Sequence, residues 1–337
     1  MKQVALAADV SSSTVSRVLS GAPSRVPITD KTRQRVLAAA AELGFRPNRL
    51  ARGLRGSYTG LLGLVVRDLG YPLHQSLIAA IVGAAHDRGH HVVIGSTDGL
   101  DADEHELERI LETRMVDGVV AVGGLDDLPR LIGDLVRERI PVVGLGLGTR
   151  DAAIPIVRSD NDRGARMVAD HLRALGHART GILVAGTHPE LVDRRDAFLA
   201  AMAAAGSPVD PRHVLEVANT PEAAEQATAR ALALPGRPTA LFCTTDMVAR
   251  GVLVAAARAG IQVPRDLSVV GFDDQEWTRH WWPALTTVHQ DAQRLGESAV
   301  DLVLRAMADP SARVTFDDWV PVRLVVRESS GPVPPGG

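Results

Sequence analysis

An arginine among short hydroxyl side chains on one face of a short helix can hydrogen-bond to phosphates and to the edges of bases. The N-terminal stretch of this chain carries such a set. Ser11 is a good N-cap, and after it Val15, Val18 and Leu19 recur at i, i+3 and i+4. The other face then holds Ser12, Ser13 and Ser16 with Arg17, and Thr14 beside them. The fork of Arg17 matches the two acceptors that guanine shows in the major groove. A second basic set, Arg49, Arg52 and Arg55, surrounds Ala51 and Leu54 shortly after Asn48, and would add salt-sensitive attraction to phosphates.

Other patterns with chemical potential fail on their context. His86 and His90 have i, i+4 spacing, but Gly89 ends the helix between them and no third ligand stands near. Gly144-x-Gly146-x-Gly148 leads into no helix, so it is no dinucleotide fingerprint, and Gly95 to Gly99 has Thr97 rather than a serine at its centre. The one cysteine, Cys243, can form no internal disulfide, which suits a reducing cytoplasm. No catalytic residue, metal or cofactor is expected.

The elements that would position the first set are three short helices. Gln3 to Ala8 places Val4, Ala7 and Ala8 at helical spacing; the helix after Ser11 comes second; a third follows Thr29 as N-cap, with Val36, Leu37, Ala40 and Leu43 inward and Gly44 as its stop. Three short helices with a tight second junction describe a helix-turn-helix, although a small bundle with merely solvated Ser and Arg would share the pattern. Charge separates the ends of the chain. The first 57 residues hold ten Lys and Arg against three Asp and Glu, a net of +7; since the total is −3, the remainder carries −10. A basic head on an acidic body is the electrostatic form of a protein that sets one end on nucleic acid.

With 337 residues, 45% apolar and 23% charged, the chain can fill more than one core. No apolar run approaches the ~18 residues of a membrane span, and Asp9 interrupts the first apolar stretch too early for an export signal.

The motifs add specificity. Val4-Ala5-Leu6-Ala7-Ala8-Asp9-Val10-Ser11-Ser12-Ser13-Thr14-Val15-Ser16-Arg17-Val18-Leu19 resembles the headpiece of the lactose-repressor (LacI) family, with Asp9 where that family prefers Gly or Asn, a position suited to a left-handed backbone. Glu42-Leu43-Gly44-Phe45-Arg46-Pro47-Asn48-Arg49-Leu50-Ala51-Arg52-Gly53-Leu54-Arg55 is similar to the family hinge, which becomes helical on DNA; Leu54 falls on the residue driven into the minor groove and Ala51 on its small neighbour. Leu54 as plain linker is the alternative. Phe45 replaces a usual Tyr, the loop between Leu19 and Thr29 is about three residues longer than usual, a change surface loops tolerate, and the usual residues before Lys2 are lacking, which suggests a start codon upstream.

After Ser57, buried strands alternate with amphipathic helices, the pattern of parallel sheets covered on both faces. Strands are expected at Leu61 to Val66, Val92 to Ile94, Gly118 to Val122 and Pro141 to Val143, then at Thr180 to Val184, Val214 to Val217, Ala240 to Cys243 and Ser268 to Gly271. Helices fall between them, including one at Asp103 to Arg114, and a return helix at Asp291 to Ala308. Stretches such as Pro283-Ala284-Leu285-Thr286-Thr287-Val288-His289-Gln290 resemble the family's effector core, itself similar to periplasmic sugar-binding proteins.

The expected class is therefore α/β: a small all-α helix-turn-helix headpiece (1–46), a hinge helix (47–57), and a two-lobed, doubly wound parallel-sheet core (58–337). Lobe 1 would take about 58–158 plus 288–315, lobe 2 about 159–287 plus 316–328, with 329–337 a flexible tail. The resemblance implies a DNA-binding repressor, a homodimer on pseudo-palindromic operator DNA, controlled by a small-molecule effector related to carbohydrates. A solute-binding receptor or enzyme on the same core is the other class, which the basic head argues against.

For the effector, the resemblance implies Arg194, Asp273, Asp160 and Asp246, although Asp246 could equally cap a helix. Where the family often has paired aromatics, this chain reads Tyr71-Pro72-Leu73-His74, which makes His74 a candidate. Asn219 stands where a stacking aromatic is frequent, and Gly146-Leu147 replaces a frequent Asp. Trp277, Trp281 and Trp282 could supply another stacking face or pack between lobes and subunits.

Overall fold

The computed structural model describes residues 1–20, 28–45, 58–66, 68–96, 115–123, 129–146, 154–309 and 317–334. They form two units, Met1–Thr59 and Gly60–Gly337.

The first unit holds α1 (Lys2–Ala7), α2 (Ser12–Ser20) and α3 (Asp30–Glu42). Asp9 takes φ 47°, the left-handed conformation expected at the turn between α1 and α2, and Val10 N–H reaches back to Ala5 O at 3.0 Å. Ser11 Oγ caps α2 by accepting from Thr14 N–H at 3.1 Å, and Thr29 Oγ1 caps α3 by accepting from Thr32 N–H at 3.3 Å. Val4, Ala5, Ala8, Val15, Val18, Val36, Ala39 and Ala40 make the core. Here the expectation fails at three residues. Leu37 and Leu43 point outward, as does Ala7, because small alanines at Ala39 and Ala40 let α3 approach closely and turn its Val36 stripe inward.

Among the described residues, the second unit contains two six-stranded sheets. In the first, β11 (Asp317–Val320), β5 (Ile156–Ser159), β4 (Val142–Leu145), β3 (Gly118–Val122), β1 (Leu61–Val66) and β2 (His91–Ser96) lie side by side, all parallel. In the second the order is β12 (Arg323–Val325), β10 (Thr286–His289), β9 (Ser268–Asp273), β8 (Ala240–Cys243), β6 (Thr180–Ala185) and β7 (Val214–Val217), parallel except for β12. Helices α4 (Pro72–Asp87), α5 (Pro129–Arg137) and α10 (Ala292–Ala308) serve the first sheet; α6 (Asn161–Ala174), α7 (Pro189–Ala204), α8 (Pro221–Leu232) and α9 (Asp246–Arg258) serve the second. Parallel strands must be joined by crossovers, and helices on both faces bury them, hence the unbroken burial of β3, β6 and β8. The helix expected at Asp103 to Arg114 lies outside the described residues, as do Asn48, Arg49, Ala51, Arg52, Leu54 and Arg55.

The chain passes between the sheets at Ser159–Asn161, at Gln290–Asp291 and at Pro321–Val322. This corrects the expected lobe limits. All of β10 pairs within the second sheet, so a boundary at residue 288 would cut a strand, and β11, assigned from sequence to lobe 2, pairs with β5 of the first sheet.

The expected tail is not loose as far as it is described. Ser329 is fully buried, donates to Val269 O at 2.6 Å and accepts from Thr286 N–H at 2.8 Å, while His177 Nε2 meets Ser268 Oγ and Gly331 O, each at 3.0 Å. Burial holds the His177 imidazole below its usual 6.5, outweighing the Gly331 carbonyl that favours the charged ring. Folded protein therefore refuses a proton that the unfolded chain accepts, so this contribution is present above pH 6.5 and lost as pH falls below it. As pH falls from 7, the urea midpoint of His177→Gln is expected to gain on that of wild type; His171 and His213, also lowered by burial, act in the same direction as His177, and the Asp246, Asp273 and Glu190 carboxyls, raised by burial, act in the opposite one. A constant difference between the two midpoints would refute the assignment.

Candidate functional site

On the head, Ser12, Ser13 and Arg17 are exposed along α2, with Ser16 and Thr14 half-buried beside them. Ser11 is exposed too, but its hydroxyl is engaged in the cap and lies 2.8 Å from Ser13 Oγ and 2.9 Å from Thr14 Oγ1. The face presents one cation and several short donors on a helix packed by only two buried valines.

In the second unit a cavity of about 590 Å³ opens where the C-terminal ends of strands from both sheets face each other. Ligand sites in α/β sheets form there because the loops after the strands are free of sheet pairing. Asp68 follows β1, Gly123 follows β3, Gly146 follows β4, and Arg158 and Ser159 end β5; opposite them Gly186 follows β6, Thr245 follows β8 and Asp273 ends β9. Tyr71 and His74 come from the start of α4, Glu190 and Arg194 from α7, and Asn219 from the turn before α8.

Arg194 and Asp273 form the buried centre. Arg194 Nε donates to Asn161 Oδ1 at 2.7 Å and Nη1 to Thr244 O at 2.7 Å; Nη1 also stands 3.5 Å from Asp273 Oδ1, and the guanidinium lies 3.6 Å over the Phe272 ring. Asp273 Oδ2 accepts from Tyr71 Oη and Oδ1 from Gln290 Nε2, both at 2.7 Å. Burial raises the Asp273 carboxyl, against the pull of Arg194 and these donors. Burial first, then the Asp273 charge, drives the Tyr71 phenol well above its usual range, so it stays a donor. Ser159 Oγ donates to Gln290 Oε1 at 2.6 Å. A chain of hydrogen bonds thus runs from Ser159 of the first sheet through Gln290 to Asp273 of the second, and back to Tyr71, the residue just before α4.

Of the candidates from sequence, Arg194, Asp273, His74 and Asn219 line the cavity, whereas Asp160 and Asp246 do not. His74 Nδ1 is 2.8 Å from Asp68 O, its ring edge-on to Tyr71 at 5.0 Å, and Asn219 Oδ1 accepts from Thr245 Oγ1 at 2.8 Å. Asp160 instead caps α6, accepting from Arg163 N–H at 3.1 Å. Asp246 is fully buried and accepts from Thr287 Oγ1 at 2.6 Å and Gln275 N–H at 2.9 Å, while Thr245 takes the cap of α9. It is therefore neither the cap nor the cleft-edge acid that sequence suggested. Trp277 and Trp281 pair with each other at 4.5 Å, Trp281 packs on the second lobe's core, Trp282 is 91% exposed, and none lines the cavity.

Sequence reasoning missed Glu190, Arg158 and Gln290, and discounted Tyr71. Glu190 is buried at the first turn of α7, and Arg158 is 2% exposed with its guanidinium 5.0 Å over Trp319. An acid early in a helix has an ordinary explanation in the helix dipole, so nothing local marked Glu190 as a cavity residue.

Comparisons with known proteins place this geometry. Residues 1–48 match the family described as bacterial regulatory proteins, lacI family, and residues 169–330 match the periplasmic binding protein-like domain. The transcriptional repressor CytR of Escherichia coli (strain K12) is 32% identical, with 91% of this chain and 89% of that protein covered. This chain belongs to the lacI family. An uncharacterized HTH-type transcriptional regulator of Streptomyces limosus is 36% identical, with 100% and 96% covered. Among solved structures, the Lac repressor dimer bound to operator and the anti-inducer ONPF matches with a TM-score of 0.85 at 29% identity, covering 97% of this chain and 98% of that one. As a lacI-family chain it is a transcriptional regulator, and no helix among its described residues is long and apolar enough to cross a membrane.

Proposed function

We propose that the chain represses transcription as a homodimer on pseudo-palindromic double-stranded operator DNA, and that a small molecule of carbohydrate-like chemistry in the cleft controls operator affinity. The observation that carries this is the joining, in one chain, of an exposed Arg17 on a hydroxyl-lined second helix to a polar cavity spanned by crossing hydrogen bonds. The Lac repressor structure, a dimer bound to operator and to an anti-inducer, supports it. Two half-sites about one helical turn apart call for two heads, which C2 symmetry supplies. Arg17 reads a guanine, Ser12, Ser13, Thr14 and Ser16 support it, Arg49, Arg52 and Arg55 contact phosphates, and Leu54 beside Ala51 wedges a base step. A solute receptor would have no use for this head.

Ligand control follows from the bonded route across the cleft. A molecule that takes over contacts at Tyr71, Asp273 or Gln290 changes what holds the two sheets together, and so the placement of the paired heads. Linkage then requires that a ligand which weakens DNA binding bind less tightly to the DNA-bound protein.

The test of the head is a binding selection on randomised DNA. Arg17→Ala is expected to cost about 1 to 3 kcal/mol and relax preference at one base pair per half-site. An unchanged preference would sink the assignment. For the cleft, a thermal-shift screen of neutral and charged small molecules should reveal a ligand that raises the melting temperature, since binding to the folded state alone stabilises it.

A further inference from the structure

The cavity's two central acceptors differ. Both oxygens of Asp273 are already engaged, by Tyr71, Gln290 and Arg194. Glu190 is only 9% exposed and lines the same cavity, yet its Oε1 has no hydrogen-bond partner among the described residues. Leaving a buried acceptor unsatisfied is costly unless something else fills the role. From the first sheet Gly146 lies opposite at φ +66°, so near that a Cβ there would be in ordinary contact, 3.6 Å, with Glu190 Oε2. Burial raises the Glu190 carboxyl, against the pull of Arg194 and Arg158, and the Asp193 and Asp273 charges raise it further. The lining thus holds the carboxylates Asp68, Glu190 and Asp273 against two guanidinium groups, one of them paired to Asp273. A phosphate entering here would stand beside Glu190 in a lining whose carboxylates outnumber its arginines, with His74 and His188 the other basic side chains.

We propose that Glu190 selects the effector: it accepts hydrogen bonds from a neutral ligand presenting adjacent hydroxyl donors, a vicinal diol, and rejects the phosphorylated form of the same molecule. One carboxylate has two oxygens at a spacing that two neighbouring hydroxyls can meet. The diol could belong to a free sugar or to the ribose of a nucleoside; the chemistry at Glu190 is common to both. This rests on the cleft being the effector site.

The test uses the full chain, with calorimetry and thermal shift against neutral mono- and disaccharides, nucleosides, the corresponding deoxy compounds and the corresponding monophosphates. Wild type should bind a neutral diol from the sugar or the nucleoside arm and bind its monophosphate at least about tenfold more weakly, since like charges in a desolvated site repel. Glu190→Gln should weaken the diol by roughly ten- to a hundredfold, the worth of hydrogen bonds to a charged acceptor, and narrow the gap to the phosphate. Glu190→Asp keeps the charge and should still reject the phosphate, so the idea stays testable if Glu190→Gln folds poorly. Diol affinity should also decline as acid protonates Glu190, and that decline should be absent in Glu190→Gln. Unchanged selectivity in Glu190→Gln, or a wild-type preference for the phosphate, overturns the role of Glu190 and leaves the effector cavity standing. Failure of wild type to bind any member of the panel counts against both.

Discussion

Arg194→Ala is expected to destabilise the core by about 3 to 5 kcal/mol, the usual cost of removing one partner from a buried ion pair, and to abolish the response to effector. The side chain is 2% exposed and ties four parts of the second lobe together: Asn161 at the start of α6, the Thr244 carbonyl after β8, Asp273 at the end of β9 and the ring of Phe272. It is less a fork waiting for ligand hydroxyls than the group that lets Asp273 be buried at all. Without it, Asp273 keeps Tyr71 and Gln290 as donors but loses its cation, and Asn161 Oδ1 and Thr244 O lose theirs. Arg194→Lys should recover part of the charge term but not the planar contacts, and fall between the two. Urea unfolding followed by tryptophan fluorescence would measure this. A loss under about 1 kcal/mol would place the charge in water rather than in the core.

How far the sequence could be read follows from where each signal resides. Strands β1, β3, β6 and β8 were legible because strands buried on both faces are continuous apolar runs, and caps at Ser11 and Thr29 and the turn at Asp9 were legible because their geometry is local. By contrast β5 reads Ile-Val-Arg-Ser, and the two residues that spoil its apolar pattern, Arg158 and Ser159, are cavity-lining ones. β11 reads Asp-Asp-Trp-Val and becomes a strand through pairing with β5. Which sheet a late strand joins depends on partners about 160 residues away in sequence, a long-range choice that no window of propensity contains.

The site divides the same way. Arg194, Asp273, His74 and Asn219 were reached through motif positions and do line the cavity. Asp160 and Asp246 carried the same kind of signal and do not, because a carboxylate at a helix start can equally serve the backbone or a neighbouring element. Tyr71 was discounted because it does not match paired aromatics, yet its hydroxyl, not its ring face, is what reaches Asp273.

Asp246 gives the second large expectation: alanine should cost about 2 to 6 kcal/mol, and asparagine far less, because the carboxylate is an internal brace with two buried donors, each costing about 1 to 3 kcal/mol if abandoned. Thr287 Oγ1 and Gln275 N–H are those donors, and Gln275 follows two residues with positive φ, Asp273 at 124° and Asp274 at 56°. Such backbone persists only where its surroundings over-determine it, and Asp246 holds the residue just after the strained pair. Gly271 fits the same account, since a Cβ there would lie 2.3 Å from Asp246 Oδ1. Asparagine can keep both bonds: its oxygen accepts from Gln275 N–H, and its amide donates to Thr287 Oγ1, which accepts as readily as it donates. Burial, and then the Asp273 charge, push the Asp246 carboxyl well above its usual 3.8. Between 3.8 and that raised value the folded state holds a proton the unfolded state has released, so this contribution is lost as pH rises through the window. Asp246→Asn removes the ionisation, and its stability relative to wild type should improve from pH 5 to pH 8, where urea midpoints are to be compared. Because Asp246 does not line the cavity, Asp246→Asn should keep the ligand-induced rise in melting temperature. Loss of that rise in a folded Asp246→Asn protein would return Asp246 to the ligand, and equal destabilisation by Ala and Asn would remove the brace.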